Sequence, residues 1–175
     1  FLLPLGLAIC LPLIGIKHRE WCRPLSIGVL AAMVPVSFAK LVGVLQHGTI
    51  HYDFGGWAAP VGIEWVADGL ASVMTVALSL VGLVCIIFLS SVLFPYLGSR
   101  IVPFYTLVLL LIASLNGMVF AGDLFNLFVF LEVSALCAYA LVGLAGGKAL
   151  VAGFRYLILG TFGASLYLLG VGYLY

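Results

Sequence analysis

The sequence predicts an all-α integral membrane protein, a bundle of six membrane-crossing helices, and three observations carry that expectation. Of 175 residues, 65% are hydrophobic and only 7% charged, against about 25% charged in ordinary soluble domains. Five polar breaks divide the chain into six apolar runs. All but the first are long enough to cross a bilayer, which takes about 20 helical residues. Basic residues also gather in alternate breaks only, the pattern of a chain that weaves through a membrane.

The runs follow in order. Phe1–Ile16 is apolar but short, and the chain opens on Phe1 inside it. With no polar tail after Tyr175 and no charged leader, the chain reads as a piece of a longer protein. The first break holds Lys17, Arg19 and Arg23, and Leu25–Gln46 is the second span. Residues 47–68 form the only sizeable loop. In it, the β-prone pieces Thr49–Tyr52 and Val61–Val66 flank turn signals at Gly55-Gly56 and Pro60, which predicts a small hairpin at the membrane surface. Trp57 and Trp65 suit the interface, where amphipathic rings collect. Gly69–Phe94, Ile101–Ala121, Leu124–Leu144 and Ala149–Tyr175 complete the set. The chain contains no repeat and no soluble domain, so residues 1–175 read as one bundle.

Charge sets the expected orientation. Breaks one, three and five carry five basic residues, Lys17, Arg19, Arg23, Arg100 and Lys148. Breaks two and four carry none, only Asp53, Glu64, Asp68 and Asp123. The positive-inside rule then makes the basic loops cytoplasmic and puts the Phe1 end and Tyr175 outside a cell (inner) membrane.

Several chemistries find no support. A net charge of +1 without a basic run gives no reason to expect nucleic acid. Cys10, Cys22, Cys85 and Cys137 lack C-x-x-C spacing and read as small buried hydrophobes. No phosphate loop, dinucleotide fingerprint or nucleophile elbow occurs. We therefore expect no cofactor, no metal and no catalytic centre in this chain. His47 and His51 alone make a weak metal site, and solvated loop residues are their default.

Glu132 is the residue that points to function. It lies nine residues past Asp123, roughly 13 Å into the fifth span, close to mid-bilayer. An ionised side chain there costs at least ~2.5 kcal/mol, and such residues usually mark ion or proton pathways. The alternative is a permanently protonated acid bonded to a neighbouring helix. Phe125, Phe128, Ala135, Leu136 and Tyr139 share its helical face, and only Tyr139 would extend a hydrogen-bonded chain there.

The other polar residues divide between structure and function. Lys40, about six residues from the end of its span, snorkels to the interface, pairs, or takes part in a proton route. Arg155 snorkels toward the basic side or pairs with an acid on a neighbouring helix. Arginine tunes a carboxylate well but carries protons poorly. Asp68 and Asp123 each precede an apolar run, where a carboxylate caps a helix; the alternative for Asp123 is to attract cations to an outer mouth. Ser114 and Asn116 read as helix–helix glue.

Three stretches resemble one family. Gly56-Trp-Ala-Ala-Pro-Val-Gly-Ile-Glu-Trp-Val-Ala-Asp-Gly-Leu70 is similar to the loop entering the third helix of the D-type subunits of Mrp sodium/proton antiporters. Leu115-Asn-Gly-Met-Val-Phe-Ala-Gly-Asp-Leu-Phe-Asn-Leu-Phe-Val-Phe-Leu-Glu132 resembles their fourth-to-fifth helix signature, the most specific part of the likeness. Phe154-Arg-Tyr-Leu-Ile-Leu-Gly160 resembles the start of their sixth helix. The wider superfamily includes antiporter-like subunits of respiratory complex I and of membrane-bound hydrogenases.

The resemblance implies that this chain is an N-terminal part of a subunit of about fourteen helices in two inverted repeats. It further implies that Glu132 is a proton-handling acid whose partner is a lysine on a seventh helix beyond this chain. Other membrane subunits of an antiporter or respiratory complex, protons, Na+ and the lipid bilayer are the implied partners. Arg155 stands where the family usually has lysine, and Glu64 where close relatives are usually apolar. Three function classes remain open: a cation/proton antiporter subunit, a redox-driven proton-pumping subunit, and a membrane anchor. Glu132 argues against the last.

Overall fold

The computed structural model describes residues 1–56 and 62–174. Its elements are α1 (Leu2–Lys17), α2 (Cys22–His47), β1 (Ile50–Asp53), β2 (Glu64–Ala67), α3 (Gly69–Leu97), α4 (Ile101–Phe120), α5 (Leu124–Gly143) and α6 (Lys148–Leu174). Among the described residues, five helices, α2 to α6, are long and apolar enough to cross a membrane. The sixth, α1, has 16 residues, about 24 Å of helix. Single tight turns at Arg19–Trp21 and Gly98–Arg100 replace loops on one side of the bundle. Gly146 and Gly147 turn α5 into α6 with φ of 76° and 54°, which residues with a Cβ adopt at a cost.

The surface is what a lipid solvent selects. Ile16, Leu45, Leu70, Val84, Phe88, Leu159 and Phe162 are all exposed, whereas a water-soluble helix would show polar residues on that face. This is a multi-pass membrane protein.

Packing depends on small residues in register. Along α3, Ser72, Thr75, Ser79, Gly82, Ile86 and Ser90 form one buried stripe. Their facing row on α2 is Cys22, Ser26, Leu30, Met33, Ser37 and Val44. Small side chains let backbones approach where lipid supplies no hydrophobic drive. Most of the hydroxyls return their hydrogen bonds to their own helix, as Thr75 does to Ala71 O (2.8 Å) and Ser79 to Thr75 O (2.7 Å). The centre is α4. In its most apolar stretch 56% of residues are buried, against 11–22% in the other long helices, and Tyr105, Leu109 and Asn116 are enclosed completely.

The expected hairpin forms, with β1 and β2 paired antiparallel, Ile50 opposite Ala67 and Asp53 opposite Glu64. Trp57, Pro60 and Val61 lie outside the described residues. Side chains alternate by face. Ile50, Tyr52, Trp65 and Ala67 line a cavity in the bundle, while His51, Asp53 and Glu64 occupy the opposite face. Two of the four cysteines depart from expectation: Cys22 and Cys137 are buried, but Cys10 and Cys85 are exposed.

Candidate functional site

The site is built on the antiparallel pair α5–α6. Asp123 starts α5, its Oδ1 accepting from Asn126 N–H at 2.7 Å. Phe128 stacks on Tyr167 of α6 (centroids 5.8 Å apart), and Tyr139 meets Tyr156 edge to face at 4.9 Å. That register sets Glu132, half-buried, opposite Gly163 at mid-helix. The helices come close because α6 is small there. A Cβ at Gly153 would lie 3.1 Å from Tyr139 O, and one at Gly160 would collide with the Tyr139 hydroxyl. Tyr139 is therefore wedged against the α6 backbone two turns from Glu132, roughly 10 Å along the axis. It does not touch the acid.

Glu132 forms no hydrogen bond or ion pair among the described residues. Arg155 in particular forms no ion pair with it in this structure. By the same register it lies eight residues along α6 from the level of Glu132, roughly 12 Å away. Arg155 is exposed and lines a groove at the end of α5 with Val142, Lys148 and Tyr156. The physical reason is the antiparallel packing, which pairs the middle of α5 with the middle of α6 and leaves the start of α6 against the end of α5.

Lys40 is turned inward between helices. Its Nζ sits 3.4 Å from the centroid of the Phe120 ring and 3.4 Å from Thr75 Oγ1. Such a cation–π contact contributes about 0.5–2 kcal/mol. The ammonium lines a cavity of about 390 Å³ beneath the hairpin, with Ser37, Tyr52 and Trp65. No carboxylate lies within ion-pair distance of it among the described residues.

On the hairpin side, the capping expectation holds for both acids. Asp68 Oδ1 accepts from Ala71 N–H at 2.7 Å, and Asp123 caps α5. Asp123 has a second task that sequence spacing did not reveal: its Oδ2 accepts from Glu64 N–H at 3.4 Å. Gly122 N–H donates to Glu64 O at 2.9 Å, and Trp65 bridges to Ala121. The β2 strand is thus pinned between β1 and the α4–α5 link. Glu64, unexplained by sequence, pairs diagonally across the hairpin with His51 Nδ1 at 2.7 Å. A period-two reading of both strands would have found it. His47 Nδ1 bonds Gly43 O at 3.0 Å. Among the described residues no group of three metal-ligating side chains forms.

Two further features were missed. Arg100, read only as a topology signal, donates to Leu144 O at 2.6 Å and so caps the C-terminal end of α5 from α4. Asn116 and Asn126 are buried with Oδ1 of the first and Nδ2 of the second unpartnered, an acceptor and a donor left over on the hairpin halves of α4 and α5.

Residues 121–175 match a family described as NADH:quinone oxidoreductase/Mrp antiporter, TM. The chain is 40% identical to the N subunit of an NADH-quinone oxidoreductase from Desulforudis audaxviator, over 99% of this chain and 35% of that protein. It is 37% identical to the D-type subunit of a Na(+)/H(+) antiporter from Alkalihalophilus pseudofirmus, over 91% of this chain and 32% of that protein. Its fold matches a chain of an archaeal membrane-bound sulfane sulfur reductase with a TM-score of 0.84 at 29% identity, covering 96% of this chain and 34% of that one. It also matches a chain of the Mrp complex of a Dietzia species with a TM-score of 0.81 at 26% identity, covering 97% and 32%. The chain spans about a third of the length of the relatives it matches.

Proposed function

Because this chain belongs to the superfamily of membrane subunits shared by NADH:quinone oxidoreductases and Mrp antiporters, we propose that it is part of a proton-translocating subunit of a multi-subunit Na+/H+ antiporter. Glu132 is the intramembrane acid that takes up and releases the proton. The observation that carries this reading is a half-buried carboxyl group at mid-helix in α5, inside the segment matched by the family model. Such a group is costly in lipid, and where one is kept it usually marks an ion or proton pathway. The hairpin faces outward and the basic turns face the cytoplasm. Tyr139 and Lys40 flank the route on opposite sides of Glu132, Tyr139 toward the basic turns and Lys40 beneath the hairpin. Partner membrane subunits complete the complex.

Substitution tests the reading. In the intact complex, Glu132→Ala should cut proton-coupled Na+ transport to less than about a tenth while leaving insertion and assembly unchanged. Glu132→Asp should retain part of it. Wild-type transport by the alanine variant sinks the proposal.

One observation favours a second reading, the 40% identity to a subunit named for quinone oxidoreduction. On that reading the same acid serves a redox-driven pump. Proton movement by the purified complex, driven by a Na+ gradient with no electron donor, separates the two.

A further inference from the structure

On the side of the bundle away from Glu132, α3 and α4 touch at Gly82, where an added Cβ would lie 2.9 Å from Ile112 Cδ1. From that contact a groove of about 600 Å³ opens toward the basic turns between α3, α4 and the end of α5. Val81, Cys85 and Leu89 of α3, Leu115 of α4 and Leu141 of α5 make its apolar wall. Along α4 it runs from Leu115 to Arg100, fifteen residues or roughly 22 Å, deeper than one leaflet of a core about 30 Å thick.

Arg100 stands at its mouth. The guanidinium is exposed, and its bond to Leu144 O uses one of five N–H donors. Among the described residues no carboxylate lies within ion-pair distance of it. An apolar trough one leaflet deep, ending in a fixed cation at headgroup level, has the chemistry of one ligand class. We propose that the groove binds an anionic phospholipid from the leaflet on the basic side. The phosphate accepts hydrogen bonds from the free donors of Arg100, and one acyl chain lies along α3 and α4. The lipid bridges α3 to the end of α5. It also shields the cap that Arg100 places on α5.

The test uses the full-length subunit in its complex, reconstituted with phosphatidylglycerol or phosphatidylcholine carrying a photoreactive group in the acyl chain. Crosslinked residues are mapped by peptide mass spectrometry, with Leu159 on the exposed face of α6 as the control for bulk lipid. Phosphatidylglycerol should label the Val81–Leu89 wall about tenfold more than phosphatidylcholine, a difference in line with one charge-assisted contact. Arg100→Gln should abolish that preference, and Arg100→Lys should keep most of it. Because Arg100→Gln also weakens the cap on α5, Cys85→Trp supplies an independent variant. It fills the groove from an exposed position and should lower labelling with Arg100 intact. Equal labelling by both lipids, insensitive to Arg100→Gln, overturns the proposal. So does a wall that stays unlabelled while Leu159 is labelled, since protein then covers the groove.

Discussion

Replacing Asp123 separates a structural carboxylate from one that draws cations to the site. Asp123→Ala removes the acceptor for Asn126 N–H at 2.7 Å, an N-cap contribution of about 1 kcal/mol. It also removes the longer bond to Glu64 N–H at 3.4 Å, for which about 0.5 kcal/mol is the low end of a normal hydrogen bond. The expected loss is thus about 1.5 kcal/mol, felt at both the start of α5 and the hairpin. Asp123→Asn keeps the capping oxygen but puts an amide donor where Oδ2 accepted from Glu64 N–H, so it should cost about 0.5 kcal/mol. Equilibrium unfolding of the full-length subunit in mixed micelles reads the difference. Protease sensitivity of residues 50–67 reads the release of the hairpin, and Na+ transport reads function. Capping predicts that Asn preserves most of the stability and the transport while the hairpin loosens. If Asn loses as much stability as Ala, the capping geometry does not govern stability here. If Asn is stable but fails to transport, the charge of Asp123 serves the route itself.

The remaining outcomes follow from the same structure. Lys40→Met keeps the packing on Phe120 but deletes the ammonium, and it should slow transport several-fold with little change in thermal stability; Lys40→Arg should restore part of the rate if charge is what matters. Cysteines at exposed Thr49 and Ser99 should react with an impermeant thiol reagent from opposite faces, Thr49→Cys from outside intact cells and Ser99→Cys only after lysis. Gly122 is a poor labelling position, since an added Cβ would lie 2.8 Å from Val66 Cγ2. Arg155→Gln should leave the pH profile of transport unshifted. The residue lies roughly 12 Å along the axis from the level of Glu132 and forms no ion pair with it. A shifted profile restored by Arg155→Lys would revive the pairing expected from sequence.

What the sequence disclosed and what it hid divide along a physical line. Apolar runs and breaks fix where helices lie because lipid leaves the backbone no other way to satisfy its hydrogen bonds, so α2 to α6 match their runs to within a few residues. Asp68 and Asp123 were legible as caps because capping is a contact between residues three apart. Glu132 was legible because burial of a carboxyl group depends on depth, which counting residues supplies. The position of Arg155 was not legible, because it depends on the register of α6 against α5. That register is set by Tyr139 wedging against Gly160 and Phe128 stacking on Tyr167, contacts that no periodicity within one helix reveals. The same holds for Lys40 over Phe120 and Arg100 on Leu144 O. Each joins elements whose alignment depends on the whole bundle.

The register also bears on what Glu132 needs. Lys40 lies beneath the hairpin against Phe120, Arg155 lies near the start of α6, and neither reaches the acid. A carboxylate at mid-bilayer without a counter-charge costs at least ~2.5 kcal/mol. A transport acid must also release its proton, and release requires a cation that stabilises the carboxylate. The relatives run to about three times this length, and the proposed function looks for that cation outside these six helices. Glu132→Gln should therefore have a conditional effect. In the full subunit it should abolish transport, because the residue no longer ionises. In a fragment ending at Tyr175 it should leave thermal stability unchanged within about 0.5 kcal/mol, because the side chain forms no hydrogen bond or ion pair among the described residues. A fragment clearly destabilised by Glu132→Gln would mean that the carboxyl group already has a partner among these six helices, and the need for an external cation would fall away.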